Sequence, residues 1–101
     1  MNMKVIKNLD KGINGYDGTE MLIGGNPLVI KDLMMQYVGS YVTQDGKESI
    51  AVNAIGQKLY DTKKDKVEFT DDEYKLLLKA TDKPQHITMV YAPMRLAIEA
   101  P

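Results

Sequence analysis

The clearest helix start in the chain lies in the stretch Val67-Glu68-Phe69-Thr70-Asp71-Asp72-Glu73-Tyr74-Lys75-Leu76-Leu77-Leu78-Lys79-Ala80. Thr70 is a favoured N-cap residue, and Glu73 three positions later completes a capping box. Phe69 and Tyr74 occupy the positions of a hydrophobic staple on either side of this cap. The sequence therefore predicts a helix over 71–80 that packs its apolar side on a core.

Apolar residues at helical spacing predict two further helices before this one. The first covers about 29–43 and places five residues on one face: Leu33, Met34, Tyr37, Val38 and Tyr41. The second covers about 47–61. Gly56 lies inside it at a cost of about 1 kcal/mol relative to Ala, which indicates close packing against another helix.

The last segment opens at Asp82, a plausible N-cap, and keeps an apolar stripe to its end. Pro93 removes a helical hydrogen bond and its ring clashes with the preceding turn. We therefore expect either a kinked helix or a break at Pro93 followed by a short helix over 94–100.

The N-terminal part has a different pattern. Short runs at 3–9 and 21–23 suit strands, and turn residues dominate 10–18 and 24–27. The 101 residues give room for one domain. The prediction is an α+β fold: a small N-terminal β-hairpin with turns over 1–28, packed on a bundle of three to four helices over 29–101.

The composition excludes several classes of protein. A net charge of -1 gives neither a general basic footprint for nucleic acid nor an acidic tail. Without cysteine there is no disulfide and no thiolate nucleophile, which favours a reducing interior, the cytoplasm. No apolar run is long enough for a membrane span, and no apolar region follows the N-terminal lysines, so we expect neither a membrane anchor nor a signal peptide.

Catalytic and metal-binding motifs find little support. His86 is the only histidine, so a His-rich metal site is excluded, and no nucleophile motif accompanies it. The stretch from Asp10 resembles a calcium loop only in part, because Gly12 and Met21 stand where ligands are required. Asp71, Asp72 and Glu73 are explained by the helix start. We predict no catalytic residue, cofactor or metal, and no enzyme activity.

Two surfaces are candidates for binding. Met and Tyr are favoured at protein interfaces, and the first helix carries Met34, Met35, Tyr37 and Tyr41. These residues are compatible with either a partner-binding surface or flexible core packing. The densest basic cluster comprises Lys58, Lys63, Lys64 and Lys66. It suits weak contacts to the phosphates of nucleic acid, or an ordinary charged face.

Three stretches carry a resemblance to known proteins: Gly25-Asn26-Pro27-Leu28-Val29-Ile30-Lys31-Asp32-Leu33, Val67-Glu68-Phe69-Thr70-Asp71-Asp72-Glu73, and Tyr91-Ala92-Pro93 before Leu96 and Glu99. Over about residues 20–100 the chain resembles a group of small phage- and prophage-encoded proteins, mostly without assigned function. The resemblance implies a phage origin and supplies no catalytic residue.

The leading hypothesis is a non-enzymatic, phage-encoded accessory protein that acts by binding another protein, for example to modulate or inhibit a host or phage factor. One alternative is a structural or assembly component of the virion, such as a head–tail or tail-assembly factor, which self-associates. The other alternative is weak nucleic-acid binding through Lys58–Lys66.

Overall fold

A computed structural model describes residues 3–99. In chain order its elements are β1 (Met3–Ile6), β2 (Leu22–Ile23), β3 (Asn26–Pro27), α1 (Ile30–Gly39), α2 (Gly46–Asp61), β4 (Val67–Thr70), α3 (Asp71–Ala80) and α4 (Thr88–Glu99).

The α+β prediction is confirmed. In the N-terminal hairpin β2 pairs antiparallel with β3, with Leu22 opposite Pro27 and Ile23 opposite Asn26. Gly24 and Gly25 form its turn at φ values of 58° and 85°. Two consecutive positive φ angles are typical of a type I′ turn, and glycine adopts them without steric cost. Four helices and a second two-stranded sheet, formed by β1 and β4, make up the other elements.

The sequence does not predict β4, which interrupts the part expected to be wholly helical. β1 pairs antiparallel with β4, with Met3 opposite Thr70 and Ile6 opposite Val67. β4 has only four residues, so its alternation of buried and exposed side chains is too short to be recognised without its partner strand. The expected strand over 3–9 ends at Ile6, and Asn8 follows with a left-handed φ of 62°.

The bounds of α1 and α2 differ from expectation at one end each. α1 ends at Gly39 rather than near residue 43, and Ser40 caps it by donating its backbone N–H to the carbonyl of Gln36. α2 begins at Gly46, where the Asp45 carboxylate accepts the backbone N–H of Lys47 at 2.9 Å. Asp45, which lies between α1 and α2, is therefore the N-cap of α2.

Gly56 lies where α1 and α2 approach each other, as its position inside α2 predicted. A Cβ atom at Gly56 would lie 3.2 Å from Cγ1 of Val38 on α1. Close packing between the two helices is confirmed.

The expected start of the last segment is wrong, because α4 begins at Thr88 rather than near Asp82. Of the two alternatives expected at Pro93, the break is excluded, since one helix runs through this residue. Val90 is buried in the core before Pro93, and Met94 and Ile98 are buried after it. Burial of apolar side chains on both sides of the proline therefore stabilises a single helix. The expected end at residue 100 lies outside the described residues.

α1 forms the centre of the hydrophobic core. It contacts α2, α3 and α4, and its buried face comprises Ile30, Leu33, Met34, Tyr37 and Val38. β1 and β4 complete the core from the other side with Ile6 and Phe69, neither of which is exposed. The arrangement leaves two kinds of surface for binding: the seams between elements and the tips of the loops.

The predicted capping box of α3 is confirmed. The Thr70 hydroxyl accepts the backbone N–H of Glu73 at 3.2 Å, and the Glu73 carboxylate accepts that of Thr70 at 2.8 Å. The Glu73 carboxylate also accepts Lys58 at 3.1 Å. Partial burial alone would raise the pKa of Glu73, but the bonds from Thr70 and Lys58 outweigh it and hold the pKa below its usual value.

Removing the Thr70 hydroxyl should weaken this helix start. We expect Thr70→Ala to lower the free energy of unfolding by about 1 kcal/mol, because the N–H of Glu73 loses its acceptor. Urea denaturation measures the change. Thr70→Ser, which keeps the hydroxyl, is the matched control and should stay close to the wild type. Equal losses in both variants would contradict the capping role.

Candidate interaction groove

The four contact residues predicted on α1 separate into two groups. Met34 and Tyr37 are fully buried, so their predicted role at a partner surface is wrong for this structure. Both side chains lie on the side of α1 that faces the other helices, where they are packed in the hydrophobic core. Met35 and Tyr41 are half-buried, and both line a groove between α1 and α2.

This α1–α2 groove has a volume of about 360 Å³. The α1 side supplies Met35, Val38 and Gly39, and Tyr41 follows just after the helix. The α2 side supplies Ser49, Val52, Asn53, Gly56, Gln57 and Tyr60. The groove combines apolar side chains with hydroxyl and amide groups, and none of the charged side chains between residues 3 and 99 lines it.

The spacing of the α2 residues explains how one helix forms a whole wall. Ser49, Asn53, Gly56 and Tyr60 are separated by four, three and four positions, which places them on one face. Ser49 and Gly56 are small and leave the depression open. Tyr60 is 69% exposed at one end of the groove, so an aromatic ring is available there to an incoming group.

The other end of the groove is held by a polar contact between α2 and α3. Tyr41 donates its hydroxyl to the Glu48 carboxylate at 2.7 Å, and Lys79 donates to the same carboxylate at 3.0 Å. The bond from Tyr41, followed by that from Lys79, lowers the pKa of Glu48. The same contacts raise the pKa of Tyr41 and of Lys79. These directions agree, because both bonds favour the ionised carboxylate of Glu48 together with the protonated forms of Tyr41 and Lys79.

Tyr37 has a structural role in place of the predicted one. Its hydroxyl accepts the backbone N–H of Gln85 at 2.7 Å and lies 2.9 Å from Nδ1 of His86. This side chain therefore fixes the segment before α4 to the core.

A second group of polar contacts joins α4 to the end of α3. Tyr91 donates its hydroxyl to the backbone carbonyl of Thr81, and Arg95 donates to the carbonyl of Leu78 at 2.8 Å. Arg95 also donates to the Thr81 hydroxyl at 3.0 Å. Burial raises the pKa of Tyr91. These bonds satisfy the terminal carbonyl groups of α3 and hold the two helices together.

Three of the four lysines in the predicted basic cluster, Lys58, Lys64 and Lys66, line one hollow that they share with Asp61 and Glu68. Lys58 pairs with Glu73, and its ammonium lies 5.2 Å from the centre of the Phe69 ring. Lys63, Lys64 and Lys66 are exposed. Acidic residues line the same hollows, with Asp10 and Asp61 beside Lys63 and Lys64, and Asp61 and Glu68 beside Lys64 and Lys66. The positive charge is therefore interrupted.

Between residues 3 and 99 no group of three or more His, Cys, Asp or Glu side chains is placed to hold a metal ion. No helix within these described residues is both long enough and apolar enough to cross a membrane.

Comparison of the chain with protein-family models, curated proteins and solved structures finds no significant match in any of the three. The function of the chain is therefore inferred from the geometry of its own surfaces.

Sequence reasoning recognised the α1 side of the groove in Met35 and Tyr41 but missed the α2 side. Ser49, Asn53 and Gln57 are polar, so a search for apolar stripes passes over them. The detectable sign is the stripe of small and polar residues that runs beside the buried stripe Val52, Ile55 and Leu59.

The lowered pKa of Glu48 predicts a dependence of stability on pH. A depressed carboxyl pKa stabilises the fold at pH values above the ordinary value of 4.5, and this contribution is lost as the pH falls through the folded value. We therefore expect Glu48→Gln to be less stable than the wild type at neutral pH and the difference to shrink in acid. Urea midpoints at several pH values measure it, with the exposed Glu68→Gln as control. A difference that persists unchanged in acid would contradict the assignment.

The anchoring role of Tyr37 is tested by removing its hydroxyl. We expect Tyr37→Phe to lower the free energy of unfolding by about 1 kcal/mol, and hydrogen exchange of the Gln85 amide to become faster. The control is Tyr60→Phe, whose ring is 69% exposed. An unchanged exchange rate at Gln85 in Tyr37→Phe would contradict the anchor.

Proposed function

We propose that this chain is a non-enzymatic accessory protein that binds another protein in the groove between α1 and α2. The observation that carries the proposal is the α1–α2 groove itself. It is open, about 360 Å³ in volume, and lined by the half-buried Met35 and Tyr41 and the exposed Tyr60. Tyrosine and methionine are the residue types that interfaces favour, and methionine adapts its shape to an incoming side chain.

The lining supports a particular kind of partner. Because the described part of the chain places no charged side chain in the groove lining, a charged group would lose hydration there without gaining an opposite charge. An apolar side chain would instead lie on Met35 and Val38, and Asn53 and Gln57 offer hydrogen bonds along the edge. A groove between two helices suits an amphipathic helix, which places its apolar face between them.

The proposal also includes the compartment in which the protein acts and its phage origin. The absence of cysteine suits the reducing cytoplasm of a bacterial host, and the resemblance to small phage proteins supports a phage origin. The partner is then a host or phage factor present in that cytoplasm.

The α1–α2 groove is tested by filling it. Asn53 lies on the exposed side of α2, so Asn53→Arg should fold normally while placing bulk and charge in the groove. We expect affinity capture from host lysate to recover a protein with the wild type and to lose it with Asn53→Arg. With the purified partner, the affinity should fall by at least about tenfold.

The matched control for this experiment is Ala54→Arg. Ala54 is the next residue on α2, is exposed, and does not line the groove. This variant should retain the partner as the wild type does. Equal retention by Asn53→Arg and Ala54→Arg, or recovery of no partner by any form, would contradict the proposal.

A further inference from the structure

A second groove lies beside α4 and differs from the first in charge. This α4 groove has a volume of about 490 Å³. Its apolar part comprises Ile30, Pro93, Leu96 and Ala97, and Leu96 is 65% exposed. Lys7 and Lys11 line the remaining side. A ligand that complements this groove has an apolar or aromatic side chain for its apolar part and carboxylates for its two lysines.

The two lysines of the α4 groove carry uncompensated charge. Both are exposed, and neither forms an ion pair with any residue from 3 to 99. Asp10 lies between them in sequence but lines a different hollow, beside Lys31 and Lys63. On α4 the carboxylate of Glu99 pairs with Arg95. An anionic occupant would therefore meet two available cations.

The backbone that carries these lysines is held in place. Leu9 donates its N–H to the carbonyl of Asp65 at 2.8 Å, and its own carbonyl accepts the N–H of Lys31 at 2.9 Å. The carbonyl of Lys11 accepts the N–H of Ile30 at 3.0 Å. Binding would therefore order only the side chains, which lowers the entropy cost of association.

The chain itself presents a segment with the required chemistry at the turn formed by residues 15–20. Tyr16 is 87% exposed, Asp17 follows it directly, and Glu20 lies on the same turn. The turn is fixed, because Gly15 donates its N–H to the carbonyl of Thr19 at 2.8 Å and the Asp17 carboxylate accepts the N–H of Thr19 at 2.9 Å. That bond also lowers the pKa of Asp17. We call Tyr16, Asp17 and Glu20 the acidic tip.

The acidic tip does not occupy the α4 groove of its own molecule. Tyr16 remains exposed, and none of the three tip residues lines that groove. The complementary surfaces can therefore meet only between two molecules.

We propose that the chain self-associates by inserting Tyr16 of one copy into the α4 groove of another, with Asp17 and Glu20 facing Lys7 and Lys11. Tip and groove consist of different residues, so two copies pair reciprocally about a two-fold axis or continue head to tail. This inference goes beyond the proposed function, because it concerns elements other than the α1–α2 groove.

Sedimentation equilibrium of the full chain tests the proposal. We expect the average mass to rise with protein concentration at low salt, and the association to weaken as salt screens the charges. Tyr16→Ala should lower the association constant by at least about tenfold, since it removes the aromatic anchor. A mass that stays that of one chain at every concentration and salt level would overturn the proposal.

Charge reversal separates this contact from loss of folding. We expect Lys7→Glu combined with Lys11→Glu to abolish association, and Asp17→Asn combined with Glu20→Lys to do the same. Asp17→Asn keeps an oxygen to accept the N–H of Thr19. An equimolar mixture of the two variants should associate again, because each tip then faces a groove of opposite charge. Failure of the mixture to associate would overturn the proposal.

Two controls complete the design. Lys47→Glu combined with Lys75→Glu changes the net charge equally at exposed positions outside the α4 groove, and it should associate as the wild type does. Asn53→Arg should also self-associate normally, so failure of the proposed function and failure of this inference give different results. Loss of association in the lysine control would show an effect of net charge alone and would overturn the proposal.

Discussion

The buried hydroxyl of Tyr37 is the constraint on which the arrangement of the helices depends. The Tyr37 ring lies in the core, with its centroid 5.7 Å from that of Tyr91, and a buried hydroxyl is costly unless it is hydrogen-bonded. Gln85 and His86 provide its partners. These bonds hold the segment just before Thr88, where α4 starts, and Pro84 in the same segment disfavours a helical conformation at the residue before it. α4 in turn places Pro93 and Leu96 beside the N-terminal loop.

The parts of the fold that the sequence predicts are those determined by near neighbours. The start of α3 depends on Thr70 and Glu73, which are three positions apart and each accept the other's backbone N–H. β4 and the start of α4 depend on distant partners: β1 for the strand, and Tyr37, which is 48 residues from Gln85, for the helix. No local pattern in 67–70 or 82–88 contains that information.

The residues of the candidate site show the same contrast between what a local pattern predicts and what distant packing decides. Met34 and Met35 are adjacent and chemically identical, but successive positions on a helix differ by about 100° in direction. One is therefore buried and the other lines the α1–α2 groove. The sequence identifies the residue types that interfaces favour, whereas the core takes whichever of them face inward. The α2 wall was missed for the opposite reason, since its polar and small residues resemble an ordinary exposed face.

The size of the chain explains why both grooves lie at seams between elements. A single core of this size is filled by its own side chains, so concave surface forms where α1 meets α2 and where α4 meets the N-terminal loop. The two seams differ in charge, one neutral and one cationic, and so they select different occupants. If the cationic seam joins copies of the chain, each assembly carries the neutral seam more than once. A partner with repeated binding segments would then be held more tightly than by one copy, because its second contact forms within the same complex.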